Sequence, residues 1–308
     1  MCFISAFYVS CSNHTDPKKY DTLTTGEVNV AADEAYRTIL EDQQWLYESK
    51  YSKSKLNIIY TDENSAMEML LSDSVRMAFV SCEPGERQLA FFKNKGITHF
   101  VNHLANDGIV LAVNKDCPLD SLSIEKLKKL FTGEIVDWNQ LVKDNNFGKI
   151  LSGFNMQGSG IINYFRKYYL KEEQKFPSNG YTFKNTLNLL DSIAKHPNII
   201  GFIPYNYISD KDDSLAKAIK AKFKIISLES LKDKKQFVLP SQSTIADSAY
   251  PLVRRMLVIN REGKSGLGTG FVIFMASHKG QRVMLKAGMV PAEMPSREIR
   301  FIKKNIKF

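Results

Sequence analysis

The sequence predicts an α/β protein of two lobes, each built on a mostly parallel sheet flanked by helices. Three observations predict it. The chain has 308 residues, more than one average core serves. Strand and helix patterns alternate from residue 26 to residue 80, and short connections of this kind favour parallel strands with helices on their faces. A fresh apolar strand pattern, Gly108-Ile109-Val110-Leu111-Ala112-Val113-Asn114, then opens a second unit.

The elements follow in order. Glu27-Val28-Asn29-Val30 alternates as a short strand. A helical pattern follows, with Ala35, Ile39, Leu46 and Tyr47 near one face. Leu56 to Tyr60 reads as a second strand, Ser65 as the cap of a short helix through Met67, Leu70 and Leu71, and Met77 to Val80 as a third strand. In the second unit, Ser121 to Leu130 is an amphipathic helix stopped at Phe131-Thr132-Gly133. Residues 148–152 form a strand, and Gly158-Ser159-Gly160 leads into a helix with Ile161, Ile162, Phe165, Tyr168 and Tyr169 close to one face. Asn198 to Ile203 is a buried strand, Leu252 to Ile259 a strand, and Gly270 to Ala287 an amphipathic helix.

Composition excludes several classes. With 44% hydrophobic and 24% charged residues the chain is an ordinary folded protein, not a disordered one. No apolar run reaches the roughly 18 residues that span a bilayer. The net charge of +9 favours anionic partners in general, but the basic residues are scattered and no aromatic-interleaved basic stripe points to nucleic acid. Of the four cysteines, Cys2, Cys11, Cys82 and Cys117, none forms a CxxC pair, which removes zinc and thioredoxin-like readings. A Cys82–Cys117 disulfide stays open at this level.

At the N-terminus an apolar stretch, residues 3–9, runs into Ser10-Cys11 and then a polar segment. This layout resembles the end of a bacterial lipoprotein signal followed by a tether, with Cys11 as the lipidated residue. No Lys or Arg precedes the apolar stretch, and the alternative is a buried N-terminal strand.

Six ordered segments carry a resemblance. They are Ala105-Asn106-Asp107-Gly108 with the strand after it, Leu130-Phe131-Thr132-Gly133 through Trp138, Gly158-Ser159-Gly160, Ile200-Gly201-Phe202-Ile203-Pro204-Tyr205, Tyr250-Pro251-Leu252-Val253-Arg254-Arg255, and Phe271 through Gly280-Gln281 to Val290-Pro291. Together they resemble the substrate-binding proteins of bacterial phosphate ABC importers. The resemblance implies a type II periplasmic binding protein: two α/β lobes joined by crossover strands that close on a ligand. It implies residues 26–108 plus 248–308 as the first lobe, 109–247 as the second, and 1–25 as signal remnant and tether. It further implies capture of phosphate or a similar small anion, delivery to an ABC permease, a monomeric protein lipid-anchored in the periplasm or cell envelope, no cofactor and no catalysis. A sensor or scaffold of the same fold, or a binder of another ligand, is the alternative.

The same resemblance implies the ligand-facing residues. Gly158, Ser159 and Gly160 precede a helix, where unpaired N–H groups and the helix dipole suit an oxyanion. Ser159 also suits a plain helix cap. The family's Arg-x-x-Gly-Ser-Gly-Thr has Asn155 and Ile161 here at its arginine and threonine positions, so a bidentate cation and one hydroxyl are missing. After the first strand stand Ala32, Asp33 and Glu34, which serve equally as a helix start, with Asp33 as N-cap. Ser81 and Cys82 follow the third strand, and Cys82 also suits a buried free thiol. Arg76 and Arg254 are candidates to restore the lost charge, although surface ion pairs are the commoner fate. A carboxylate about 4 Å from a bound anion repels it by about 4 kcal/mol at an effective dielectric near 20, or roughly three decades of affinity. The expectation is therefore weaker phosphate binding than in arginine-bearing relatives, and discrimination against sulfate, which carries no proton to donate to Glu34.

Enzyme and metal readings find little support. His99 and His103 stand four apart in a segment that reads as strand or loop. Ser159 has no G-x-S-x-G elbow. Gly266-Leu267-Gly268-Thr269-Gly270 lacks the strand–loop–helix context of a nucleotide loop and reads as a flexible entry to the last helix.

Overall fold

A computed structural model of the chain describes residues 21–170, 179–210, 214, 217, 218, 221–263 and 265–295. The first three strands are β1 (Gly26–Asp33), β2 (Ser54–Thr61) and β3 (Met77–Val80), with helices α1 (Arg37–Lys50) and α2 (Glu63–Leu71) between them and α3 (Glu86–Asn94) after them. The strand β4 (Phe100–Asn114) follows, then β5 (Ser121–Leu122), α4 (Ile124–Thr132), β6 (Leu151–Asn155), α5 (Gly160–Tyr169), β7 (Gly180–Phe183), α6 (Thr186–Lys195) and β8 (Ile199–Pro204). The chain continues through β9 (Phe223–Ile225), β10 (Ser227–Glu229), β11 (Phe237–Val238), α7 (Gln242–Ala246), β12 (Val253–Asn260), α8 (Leu267–Ala276), α9 (His278–Lys286) and β13 (Val290–Pro291).

One curled sheet runs in the order β2-β1-β3-β12-β4-β8-β6-β7, with β13 and β9 also pairing β4. On one side β1 pairs parallel to β2 and β3. On the other β6 pairs parallel to β7 and β8. The long strand β4 joins the two. Residues 100–108 pair antiparallel with β12, and Ile109 to Val113 pair antiparallel with β8. This is the two-lobed architecture expected, with β4 as a crossover strand.

Strand periodicity places the cores. Along β1, Val28, Val30 and Ala32 face a cluster with Ile39, Leu40, Met256 and Phe271, while Ala31 faces one with Ala66, Leu70 and Val80. The second lobe is aromatic-rich: Phe131 stacks on Phe165 at 3.8 Å and Phe154 on Phe202 at 4.8 Å. Each such ring contributes about 1.5–3 kcal/mol by burial. Trp138 is buried beside them and its Nε1 donates to the Asn198 carbonyl at 3.0 Å.

Several boundaries differ from expectation, each for a local reason. The first strand extends to Asp33, because Ala31, Ala32 and Asp33 continue the ladder with β2. The strand expected at residues 148–152 is Leu151–Asn155, so Asn155 ends a strand instead of lying in a loop. Asp62, not Ser65, caps α2: its carboxylate accepts the Ser65 amide at 3.0 Å. The helix expected over 270–287 is two helices, because Ser277 is extended (φ −68°, ψ 163°) and its side chain caps α9. The thiols of Cys82 and Cys117 are free, one half-buried near β3 and one in the second lobe's core, so the disulfide left open by the sequence is not formed. Cys11, the tether and the apolar stretch lie outside the described residues.

Candidate inter-lobe site

Parallel strands bring their carboxyl ends to one edge, and α/β proteins bind ligands there. The edges of the two lobes face each other, and the residues at and just beyond the strand ends meet. From the first lobe come Asp33, Glu34, Glu63 and Ser81, at or following the ends of β1, β2 and β3. From the second come Asn155, Gly158, Ser159, Gly160, Thr186 and Tyr207, at or following the ends of β6, β7 and β8.

At this junction carboxylates of the first lobe accept hydrogen bonds from donors of the second. Glu34 Oε2 accepts from Asn155 Nδ2 at 3.0 Å, from the Thr186 amide at 3.2 Å and from Thr186 Oγ1 at 2.7 Å. Glu34 Oε1 accepts from the Tyr207 hydroxyl at 2.8 Å. Asp33 Oδ2 accepts the Gly160 amide at the first turn of α5, while its Oδ1 caps the turn after β1 through the Ala35 amide at 2.9 Å. Glu63 Oε2 accepts the amide and hydroxyl of Ser81, and its Oε1 accepts Asn163 Nδ2 of α5 at 3.1 Å. The three carboxylates are fully or almost fully buried: Asp33 is 0%, Glu34 3% and Glu63 4% exposed.

Buried anions require such partners, since a desolvated carboxylate without donors costs several kcal/mol. Glu34 has four donors, two of them at the N-terminus of α6. Its nearest cation is Arg37, whose Nε lies 4.0 Å away. The Tyr207 hydroxyl keeps its proton because burial, and Glu34 beside it, raise its pKa. Asp33 is less well matched. Burial pushes its pKa up to about 7; Arg254 opposes the rise and Glu63 adds to it.

Glycine matters at two positions. A Cβ at Gly160 would stand 2.6 Å from Glu63 Oε2 and Ser81 Oγ and 2.7 Å from Asp33 Oδ2. One at Gly158 would stand 2.1 Å from Asp62 Oδ1. Only hydrogen lets the first lobe approach this closely. The Gly158 carbonyl also accepts the Asn64 amide of α2 at 3.2 Å. Upstream, Met156 adopts φ 47°, a left-handed conformation uncommon outside glycine, where the chain turns from β6 toward α5.

The residues named from the sequence sort themselves here. Asp33, Glu34, Asn155, Gly158, Ser159, Gly160 and Ser81 are gathered at the lobe junction. Ser159 is the N-cap of α5, accepting from the Ile162 amide, so the cap reading holds beside its place in the cleft. Ala32 and Ile161 are not brought to the cleft by their side chains: both pack in hydrophobic clusters, Ala32 because strand alternation turns it inward. Cys82 is half-buried beside Ser81, and burial, with Glu63 nearby, lifts its thiol to about 11, leaving it protonated. Arg76 pairs with surface Asp73. Arg254 does not take a surface partner: it is buried, donates to Asp107 Oδ2 at 3.0 Å and lies over the Tyr36 ring at 4.4 Å. Burial opposes its charge, but Tyr36, Asp107 and Asp33 shift its pKa upward. Its Nε and Nη1 have no hydrogen-bond partner among the described residues, nor has Asn155 Oδ1.

Glu63, Asn163, Thr186 and Tyr207 were not named from the sequence. The strand-end rule points to the first and third: Asp62-Glu63 and Asn185-Thr186 each open a helix directly after a parallel strand. Tyr207 stands on the turn directly after β8, itself parallel to β6, so the same rule reaches it, whereas Asn163 carries no such signal. His103 Nε2 donates to Asn106 Oδ1 at 3.0 Å and His99 stacks on Phe92, so the two do not converge. Among the described residues no group of three or more His, Cys, Asp or Glu side chains is placed to hold a metal, and no helix is long and apolar enough to cross a membrane.

Known proteins share this architecture. The phosphate-binding protein PstS of Staphylococcus haemolyticus (strain JCSC1435) is 28% identical over 220 residues, 69% of this chain and 65% of that protein. PstS of Bacillus subtilis (strain 168) is 25% identical over 185 residues, 60% of this chain and 55% of that protein. The matches thus span about half to two thirds of these relatives' length. Among solved structures, a phosphate ABC transporter substrate-binding protein from Clostridium perfringens, described as putative and with bound phosphate, superposes with a TM-score of 0.72 at 17% identity, covering 87% of this chain and 100% of that one. An ABC-type phosphate transport receptor from Vibrio cholerae gives 0.64 at 17% identity, over 85% and 99% of the two chains. At these identities the superpositions show the fold, that of a type II periplasmic binding protein. Residues 17–279 match the PBP superfamily domain family, and with that match covering most of its length the chain belongs to this family.

Proposed function

We propose that the protein is an extracytoplasmic solute-binding protein that captures phosphate or a similar small oxyanion between its lobes for an ABC importer, performing no chemistry on it. One observation carries the proposal. The second lobe presents a cluster of N–H and O–H donors, from Asn155, Thr186, Tyr207 and Gly160, already arranged around carboxylate oxygens. Such donors at helix N-termini suit any compact oxyanion. The buried Arg254 supplies the positive charge that Asn155 does not. The relatives named as phosphate-binding support the choice of anion.

A ligand bridging both lobes favours the closed arrangement, which is the form an importer's permease would recognise. Residues 26–108 with 248–308 would move against 109–247, about β4 and β12. The anchor is a lipid on Cys11 and the protein a monomer in the periplasm or cell envelope. Monohydrogen phosphate carries a proton that a cleft carboxylate accepts, whereas sulfate does not, so phosphate binds better than sulfate. The test is titration calorimetry with both anions at pH 6 and pH 8, beside a thermal-shift screen of anions, amino acids and cations. Stabilisation by phosphate but not sulfate supports the proposal; no shift from any anion contradicts it and favours a sensor or scaffold whose cleft stays shut.

A further inference from the structure

We infer that Glu34, with the Asp33 carboxyl group beside it, acts as the cleft's own anion: the pair occupy the donors that an external oxyanion needs, hold the lobes together without ligand, and set which anions the cleft accepts. This rests on the anion-binding reading above.

The geometry leads to it in three steps. First, the donors to Glu34 and to Asp33 Oδ2 are second-lobe groups, so these carboxyl groups bridge the lobes as a ligand would. Second, the match is close to complete on Glu34. Its Oε2 takes three donors and its Oε1 a fourth, about as many as the lone pairs of a carboxylate can hold. Third, the space is filled. The lobes approach so closely at Gly160 that a single added carbon would overlap oxygens of Asp33, Glu63 and Ser81. An incoming anion therefore has to displace the carboxylates, not merely sit beside them. Asp33 faces Glu63 of α2, Arg254 of β12 and the first turn of α5, and its raised pKa reflects the cost of keeping this charge buried.

Local alternatives do not account for the arrangement. Asp33 Oδ1 already caps its own turn, which leaves Oδ2 free to reach across to Gly160. Glu34 makes no comparable local cap: besides the salt contact with Arg37, its described partners are second-lobe residues. Displacement also explains selectivity without an arginine fork. An anion that repels both carboxylates is excluded, and one that carries a proton is tolerated.

The experiment compares the wild-type protein with the Asp33→Asn/Glu34→Gln double variant and with Thr186→Val, which removes one donor from the opposite lobe. Ligand-free compactness is read by small-angle X-ray scattering, folding by the thermal transition, and binding by calorimetry with inorganic phosphate and with sulfate. The expected result is a compact ligand-free wild type, an expanded radius of gyration in both variants, and at least a ten-fold gain in phosphate affinity, with sulfate binding becoming measurable, in the double variant. Folded variants as compact as wild type, or a double variant with unchanged phosphate affinity in a wild type that binds it, overturn the inference and leave the phosphate reading standing. Expanded variants that bind neither anion do the opposite: the internal anion stands and the phosphate reading falls.

Discussion

Several helix N-termini in this protein are met by carboxylates, and they differ in where the carboxylate comes from. At α8 it is local. Glu262 accepts the Gly268 amide at 3.1 Å, the Thr269 amide at 2.8 Å and the Thr269 hydroxyl at 2.7 Å, so the glycine-rich entry is an ordered first turn and not a flexible one. At α5 and α6 it crosses the cleft: Asp33 reaches the Gly160 amide and Glu34 the Thr186 amide. Both arrangements satisfy the unpaired N–H groups of a helix start. Only the second makes that satisfaction depend on the two lobes being together. The same chemistry is a structural cap in one place and a conformational latch in the other.

The largest break in this comparison is expected from Glu34→Ala. Removing the acceptor strands four donors in a closed interface, at about 1–3 kcal/mol for each that stays buried. Opening relieves most of that, so the predicted result is a wider ligand-free particle with a closed population reduced by roughly a thousand-fold or more, read by scattering.

Next comes pH. The closed state holds Asp33 with a pKa of about 7, raised from the ordinary 3.8 by burial, with Glu63 adding to the rise and Arg254 opposing it. Once the cleft opens to water, the pKa falls back toward the ordinary value. Below about pH 4 both states are protonated and closure is favoured most. From about pH 4 to about pH 7 the open state gives up its proton first and closure weakens, by on the order of a few kcal/mol. Above that the penalty is complete. Asp33→Asn should flatten this profile in the same scattering measurement.

Gly160→Ala should follow. Its Cβ would meet three oxygens of the facing lobe within 2.7 Å, and keeping the lobes apart should lower phosphate affinity by at least ten-fold in calorimetry. Glu262→Ala sharpens the comparison from the other side. It should cost about 1 kcal/mol, as loss of a helix cap does, and lower the melting temperature by a few degrees. Compactness and anion binding should not change.

How much of this was legible in the sequence differs between fold and site. The strands and the crossover were legible because apolar alternation and the Gly108–Asn114 run are local signals. The break at Ser277 was not, since residues 270–287 keep helical periodicity across it and the turn is set by the close packing of Gly280 on Phe274 and Met275. At the site, Asp33, Glu34, Asn155 and Gly158 to Gly160 were legible as residues. Their relation was not. The sequence set Asp33 and Glu34 between a helix start and a ligand contact, and the structure gives Asp33 both a cap and a cross-cleft bond. That Glu34 would find Thr186 and Tyr207 depends on how two lobes meet, which no spacing along the chain encodes. Likewise Arg254 was weighed as a surface ion pair, but the antiparallel register of β12 on β4 sets it opposite Asp107.

The most direct measurement is the amide proton of Gly160 in the ligand-free protein, followed by nuclear magnetic resonance from pH 4 to pH 9. A hydrogen bond to the Asp33 carboxyl predicts a downfield, slowly exchanging proton whose shift titrates near pH 7 and stops titrating in Asp33→Asn. A Gly160 amide that exchanges rapidly and keeps one shift across the range would show that the first lobe does not supply the anion.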